Sequence, residues 1–343
     1  MTPHITVVVS AFNSEALLRE CLQQLRKQTV IDLCEVVVID SGSDQDEAGV
    51  CREFSKFLLN LFYERTPKET LYAAWNRGLS KARGQYFVNV NTDDALAPDA
   101  LECFVRAMDE DSDAALAYAD CVWSPTPNAP YPWPDTWKRV RSEPYAAEMA
   151  LFYCFTSCTQ FWRTSALKYL GGFDPKFKAA GDYEVLCRMV SQGMKALHIP
   201  RPLSAFYQNP NGLSQMSSSA NDEFLRARAL FRKEAKLSQF YSIDESNAGD
   251  VRGAHLRIAI RALKPRVPWH DAPVAEVDYA IDSLLAAATT LPSSSLRSRL
   301  LKRAAFMVSQ GALGNKACGQ QVKMLLSPII TRLLNGKPLP RKL

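Results

Sequence analysis

Three short β-branched runs each stop at polar residues, and this repeat constrains the fold more than any other feature of the chain. Ile5-Thr6-Val7-Val8-Val9 gives way to Ser10-Ala11-Phe12-Asn13, and Glu35-Val36-Val37-Val38-Ile39 to Asp40-Ser41-Gly42-Ser43-Asp44. Val88-Asn89-Val90 gives way to Asn91-Thr92-Asp93-Asp94. After the first run comes a helical pattern, with Leu17, Leu18, Cys21, Leu22 and Leu25 spaced for one buried face. Apolar strands alternating with helices predict an α/β fold whose parallel sheet is covered on both sides. In such a sheet the carboxyl ends of the strands form the rim where ligands bind.

The third stop carries two adjacent carboxylates, Asp93 and Asp94. Such a pair repels itself and is costly to bury unless a cation shares the site. Oxygen-only ligation suits Mg²⁺ or Mn²⁺, usually shared with a phosphate. The plainer alternative is a solvated turn ahead of the helix start at Pro98-Asp99.

Five segments stand in order: VVVSAFN, CLQQLRKQT, VVVIDSGSDQD, LYAAWNRGLSKARGQYFVNVNTDD and LGGFDPKFKAAGDYEVLCR. In sequence and spacing they resemble the family 2 glycosyltransferases of the GT-A fold, over about residues 4–215. The resemblance implies a Rossmann-like, mostly parallel sheet covered by helices, and a nucleotide-sugar donor with UDP favoured. It also implies a divalent cation, Mn or Mg, and inverting transfer to a hydroxyl of a glycan or lipid-linked acceptor in cell-surface polysaccharide assembly. Asp40 then accepts from the N3–H of uracil, Phe12 stacks on the base, and Ser10 and Ala11 line the pocket through their backbone. Core filling is the competing role for Phe12. Asn76 falls in the segment facing the donor sugar, and Asp93 and Asp94 hold the metal, with Asp93 the first choice for direct contact. Asp182 corresponds to the base that deprotonates the acceptor hydroxyl, with a helix cap as its alternative and Glu184 the next candidate base.

Three departures from the family pattern are visible. Ser41 replaces a second acid after Asp40, and Asn91 replaces the first carboxylate of Asp-x-Asp. The segment Tyr207–Ser214 has no His, where relatives carry one that touches metal or phosphate; Asn209 is the available substitute. These departures support the rival reading, a catalytically inactive GT-A-like module that binds nucleotide or acts as a scaffold. Other classes lack their signatures: no GxGxxG follows the first strand, no GxxxxGK[ST] occurs, and the QxxRW of processive synthases is missing.

Residues 1–220 read as the catalytic domain and 221–343 as a helical, basic appendage. Phe224, Leu225, Ala229 and Leu230 suggest one helix face, and further helices are expected at 250–263, 274–287, 294–308 and 320–334. Trp123–Pro134 holds too many prolines for helix or central strand, so it reads as a loop, either an acceptor-facing flap or a rigid excursion. Nine cysteines lie scattered without CxxC spacing, which points to reduced thiols in a cytoplasmic protein. No metal site is expected at Cys154 and Cys158, which lack a His or Cys partner at zinc spacing. Met1-Thr2-Pro3-His4 leads straight into a strand without the regions of a signal peptide, and no apolar run is long enough to span a bilayer.

Net charge is +5, but it is unevenly spread. Residues 283–343 contain ten Lys and Arg and no acid, so residues 1–282 sum to 5 − 10 = −5. Such a region suits peripheral contact with an anionic membrane, with core packing the alternative for its leucine face. Nucleic acid is not an expected partner, because Phe306 is the only aromatic after Tyr279.

Overall fold

The computed structural model describes residues 2–210, 212–213, 217–263 and 274–293, and after them 295, 298–299, 301–302 and 305–306. The chain divides into two compact units, Met1–Glu234 and Ala235–Leu343. This division falls after the helix at 217–234, whereas the sequence reading placed it at 220/221.

The first unit opens with β1 (Ile5–Ala11), α1 (Glu15–Leu25), β2 (Cys34–Asp40), α2 (Glu47–Phe54) and β3 (Leu61–Arg65). It continues with α3 (Leu71–Lys81), β4 (Tyr86–Asn91), β5 (Ala95–Leu96), α4 (Ala100–Glu110) and β6 (Ala114–Ser124). Then come β7 (Arg139–Val140), β8 (Phe161–Arg163), α5 (Thr164–Tyr169), α6 (Gly181–Ser191), β9 (Lys195–Tyr207) and α7 (Ser217–Glu234). The strands form one sheet in the order β3-β2-β1-β4-β8-β6-β9-β5, with β7 paired to β6. β5, β7 and β8 run against the others, so the sheet is mostly parallel.

Alternation along the strands decides which helix each face meets. Val7, Val9, Val36, Val38, Val88 and Val90 are buried in one core with Leu18 and Leu22 of α1, Phe54 of α2 and Phe104 of α4. Fully burying each such side chain contributes roughly 1.5–3 kcal/mol. On the opposite face Phe87 meets Phe173, which packs in turn on Tyr72 and Trp75 of α3. Gly78 allows that approach, since a Cβ there would lie 2.5 Å from the Val8 methyls.

Two expectations are refined by the structure. β6 extends from Ala114 through Ser124, so the first two residues of the proline-rich segment belong to a strand rather than a loop. The buried face of α7 runs through Ala227, Arg228 and Phe231, while Ala229 and Leu230 are exposed. Arg228 and Arg232 reach inward to donate to the carbonyls of Phe152 and Leu151, which rotates the helix away from its purely apolar stripe.

In the second unit, α8 (Ala248–Leu263) and α9 (Val274–Thr289) bury Ala254, Ile258, Ala280 and Leu284. The expected helix at 294–308 lies partly outside the described residues, and that at 320–334 wholly outside them. Among the described residues no helix is long and apolar enough to cross a membrane.

Candidate active site

Parallel register brings the polar strand ends to one rim. Ala11 is level with Asp40, and Ser10 is level with both Ile39 and Asn91. Asp40 is 1% exposed, and its carboxylate is already engaged. The Ser43 N–H donates to Oδ1 at 2.8 Å, the Tyr63 hydroxyl donates to Oδ2 at 2.6 Å, and Arg65 Nε lies 3.6 Å away. Asp40 therefore organises the β2 exit loop, and a base contact would have to share a carboxylate that three groups already use. Phe12 is 42% exposed, so it does not fill the core. Lys68 Nζ stands 4.2 Å from the centre of its ring, a cation–π contact at the same rim.

The Asp93-Asp94 turn shows a division of labour. Asp94 is buried, and both its oxygens serve protein donors: Oδ1 accepts from the Tyr207 N–H at 2.9 Å and Oδ2 from Asn91 Nδ2 at 2.9 Å. It thereby ties the end of β4 to the end of β9. Asp93 is half-buried and accepts from Asn209 Nδ2 at 3.3 Å. Burial raises both carboxyls; Asp94 lies well above the usual range, with the Cys158 thiol and the Asp93 charge adding to the desolvation. Asn128 fixes the turn from behind. Its Nδ2 donates to the Thr92 carbonyl at 2.9 Å and its N–H to the Asp93 carbonyl at 2.9 Å. The proline-rich segment thus braces this turn through Asn128.

Among the described residues no three His, Cys, Asp or Glu side chains converge as a metal cage. The donors present are oxygen only: one accessible carboxylate, Asp93, beside the neutral Asn209 amide. That set fits a hard divalent cation taking most of its other ligands from a diphosphate and water.

Asp182 lies in the first turn of α6, where Ala180 is the N-cap residue and makes no side-chain cap. Its Oδ1 accepts from the Tyr183 N–H at 2.8 Å and from the Tyr72 hydroxyl at 3.2 Å. Its Oδ2 accepts no protein hydrogen bond among the described residues. Burial pushes the Asp182 carboxyl up to about 6, against those two hydrogen bonds and its own backbone N–H, which lower it. Tyr72 belongs to the first turn of α3, which follows the carboxyl end of β3, so the contact places Asp182 beside the rim of strand ends. Gly181 makes it possible: a Cβ there would meet the Tyr72 ring at 2.7 Å.

The other candidates have structural duties. Asn76 exchanges both amide groups with Phe173, donating to its carbonyl at 2.7 Å and accepting from its N–H at 2.9 Å. Arg188 grips both Glu184 oxygens at 2.7 Å and donates to the Leu170 and Gly172 carbonyls, so Glu184 steadies the turn before α6. Arg77 and Arg83, the cations on and just after α3, pair with Glu69 and Glu35.

Residues 6–171 match the family model described as Glycosyl transferase family 2. The chain carries a family 2 glycosyltransferase domain. Among curated relatives, Putative glycosyltransferase EpsH of Bacillus subtilis is 28% identical over 34% of this chain and 33% of its own length. Glycosyltransferase GlyA of Streptococcus pneumoniae matches over only 15% of its length. A PGL/p-HBAD biosynthesis glycosyltransferase of Mycobacterium bovis is 24% identical over 65% of this chain and 83% of its own. Among solved structures, S. aureus TarS 1-349 in complex with UDP-GlcNAc superposes with a TM-score of 0.56 at 17% identity, covering 98% of this chain and 93% of that one. The mannosyltransferase PcManGT from Pyrobaculum calidifontis, in complex with GDP-Man and Mn2+, gives 0.50 at 19% identity, covering 98% and 87%. These likenesses establish the GT-A fold.

Proposed function

We propose that the protein is a non-processive, inverting glycosyltransferase that moves one sugar from a nucleotide diphosphate to a hydroxyl of a glycan or lipid-linked acceptor in cell-surface polysaccharide assembly. The observation that carries this reading is Asp182, a carboxylate beside the rim with one oxygen unclaimed and a proton affinity near neutrality. A general base works best when its pKa approaches the working pH. In this mechanism Asp182 Oδ2 takes the acceptor proton as the hydroxyl attacks the anomeric carbon opposite the leaving nucleotide. Tyr72 and the Tyr183 N–H hold the other oxygen and fix the carboxylate's direction. Phe12 offers its exposed face to the base, with Ser10 and Ala11 beside it, and Lys68 stands near enough to favour phosphate. Asp40 shapes that pocket through Ser43 and Tyr63. Asp93, backed by Asn209, Asn91 and Asp94, would hold a Mn or Mg ion. When bound, the ion supplies Lewis-acid neutralisation of the departing diphosphate. UDP is the favoured nucleotide, in line with the UDP-GlcNAc in one structural neighbour, although another holds GDP-Man.

A thermal-shift screen of UDP-, GDP- and TDP-sugars with Mn²⁺ tests the donor. At a ligand concentration about 100-fold above Kd, the correct donor is expected to add ~2.7 kcal/mol of stability. If none of the nucleotides raises Tm, the donor reading fails and the scaffold alternative stands.

The eight described cysteines are free thiols, in keeping with a reducing compartment, and the reading places the enzyme in the cytoplasm. Its basic region, residues 283–343, lies largely outside the described residues and is proposed to touch an anionic leaflet. Each Lys or Arg near such a surface contributes on the order of 1 kcal/mol. The full chain is expected to sediment with phosphatidylserine vesicles at low salt, release as salt rises, and ignore neutral vesicles. Equal recovery with both vesicle types would remove the membrane contact.

A further inference from the structure

Away from the rim, a cavity of about 760 Å³ is lined by residues of β6, β7 and β9 and the segment following β7. It shares no lining residue with the Asp40, Asp93 or Asp182 clusters, and its size suits a small ligand. Its most buried polar feature is a pair, His198 Nε2 and Asp120 Oδ1, 2.8 Å apart with side chains 8% and 11% exposed. The Ser142 N–H also donates to Asp120 Oδ1 at 2.9 Å, and Tyr118 stacks on the His198 ring at 5.1 Å. The pair sits where β6 and β9 shift register, on either side of Asp120. Such irregularities re-aim side chains and persist where the aim matters. Asp120 Oδ1 is therefore taken by protein partners at the base of the cavity.

Around this base the walls are apolar and the outer charges positive. Tyr145, its hydroxyl tied to the Met194 carbonyl at 3.0 Å, forms one wall with Pro144 and Pro202. Arg139 lines the cavity but is paired with Asp135, and Asp111 contributes one opposing carboxylate. Arg141 and Lys195 are exposed, and their side chains have no hydrogen-bond or ion-pair partner among the described residues. Two unspent cations beside an apolar-walled cavity suit a compact ring that carries an anionic group.

We propose that this cavity is a second binding site, for an anionic saccharide: a sugar ring bearing a phosphate or carboxylate. Its ring packs on Tyr145 and the prolines, and its anion meets Arg141 and Lys195, where charge-assisted hydrogen bonds are the strong ones. The ligand has two sources, a unit of a longer acceptor glycan or a free sugar phosphate.

Calorimetric titration of the full chain tests it, with glucose 1-phosphate, glucose, and a glucuronate-containing oligosaccharide as probes. Saturable binding of glucose 1-phosphate is expected, with none for glucose. The double variant Arg141→Glu, Lys195→Glu should raise Kd at least about tenfold while the UDP–Mn²⁺ thermal shift stays unchanged. The milder Arg141→Gln, Lys195→Gln pair should weaken binding in the same direction, which serves if the charge reversal disturbs folding. Much tighter binding of the oligosaccharide assigns the site to the acceptor chain, and equal or weaker binding assigns it to the free sugar phosphate. The proposal is overturned if no probe saturates, if glucose binds as well as its phosphate, or if Asp93→Ala abolishes binding while the double variants leave it intact.

Discussion

Asp182→Asn is expected to lower kcat by about 10²–10⁴ and leave donor affinity nearly unchanged. Asparagine keeps the size of the side chain and can still accept from Tyr72 and the Tyr183 N–H, but it cannot take a proton. Because the carboxyl stands at about 6, wild-type kcat should rise with pH through that value and level off above it. The variant should lose this limb. The same shift has a consequence for stability. Burial raises the folded value from the ordinary 3.8, so the unfolded chain releases its proton first as pH rises. The resulting stability is present below about pH 4, is lost as pH rises to about 6, and does not return above it. At pH 7.5 the asparagine variant should therefore be more stable than wild type, by up to about 3 kcal/mol. A residue that only capped α6 would give the opposite pair of results, near-normal kcat and reduced stability. Arg188 already holds Glu184 by both oxygens, so it is a poor replacement base.

EDTA is expected to abolish transfer, and Asp93→Ala to remove most metal-dependent nucleotide binding. Asp93 is the accessible carboxylate of the turn, backed by a neutral amide, so little else nearby could retain a divalent ion. Asp94→Ala should behave differently. Asp94 joins β4 to β9 through the Tyr207 N–H and Asn91, and its loss should reduce stability as well as activity. Isothermal titration of UDP with and without Mn²⁺ separates the two variants. Full activity in EDTA would mean that Lys or Arg side chains, Lys68 foremost, neutralise the leaving diphosphate instead.

The strand ends were legible because β-branched runs stop abruptly at polar residues, and strand register turns those stops into one rim. Other elements were hidden for identifiable reasons. β3 is a short edge strand with mixed burial, so its residues show no clean alternation. β9 contains Pro200 and Pro202, which ordinarily argue against a strand; its register irregularities against β6 accommodate them. The face of α7 passes through two arginines whose inward hydrogen bonds leave no mark on hydropathy. At the site, Asp93 and Asp182 stood out as motif positions, but their supports did not. Tyr72 lies 110 residues from Asp182, and Asn128 lies 36 from Thr92, distances at which one sequence offers no periodic signal. Asn76 and Glu184 stand at positions of the family motif, and their hydrogen bonds to Phe173 and Arg188 in and beside the turn ahead of α6 were likewise invisible in the sequence.

The central claim is a single displacement with one carboxylate base, and the configuration of the released sugar tests it most directly. The enzyme would be incubated with Mn²⁺ and the α-linked UDP-sugar identified by the donor screen, with water as the acceptor, and the first product observed by proton NMR before the free sugar equilibrates. The β anomer should appear first, and Asp182→Asn should suppress its formation. Initial release of the α anomer would contradict the account, because retention requires chemistry that a lone Asp182 cannot supply.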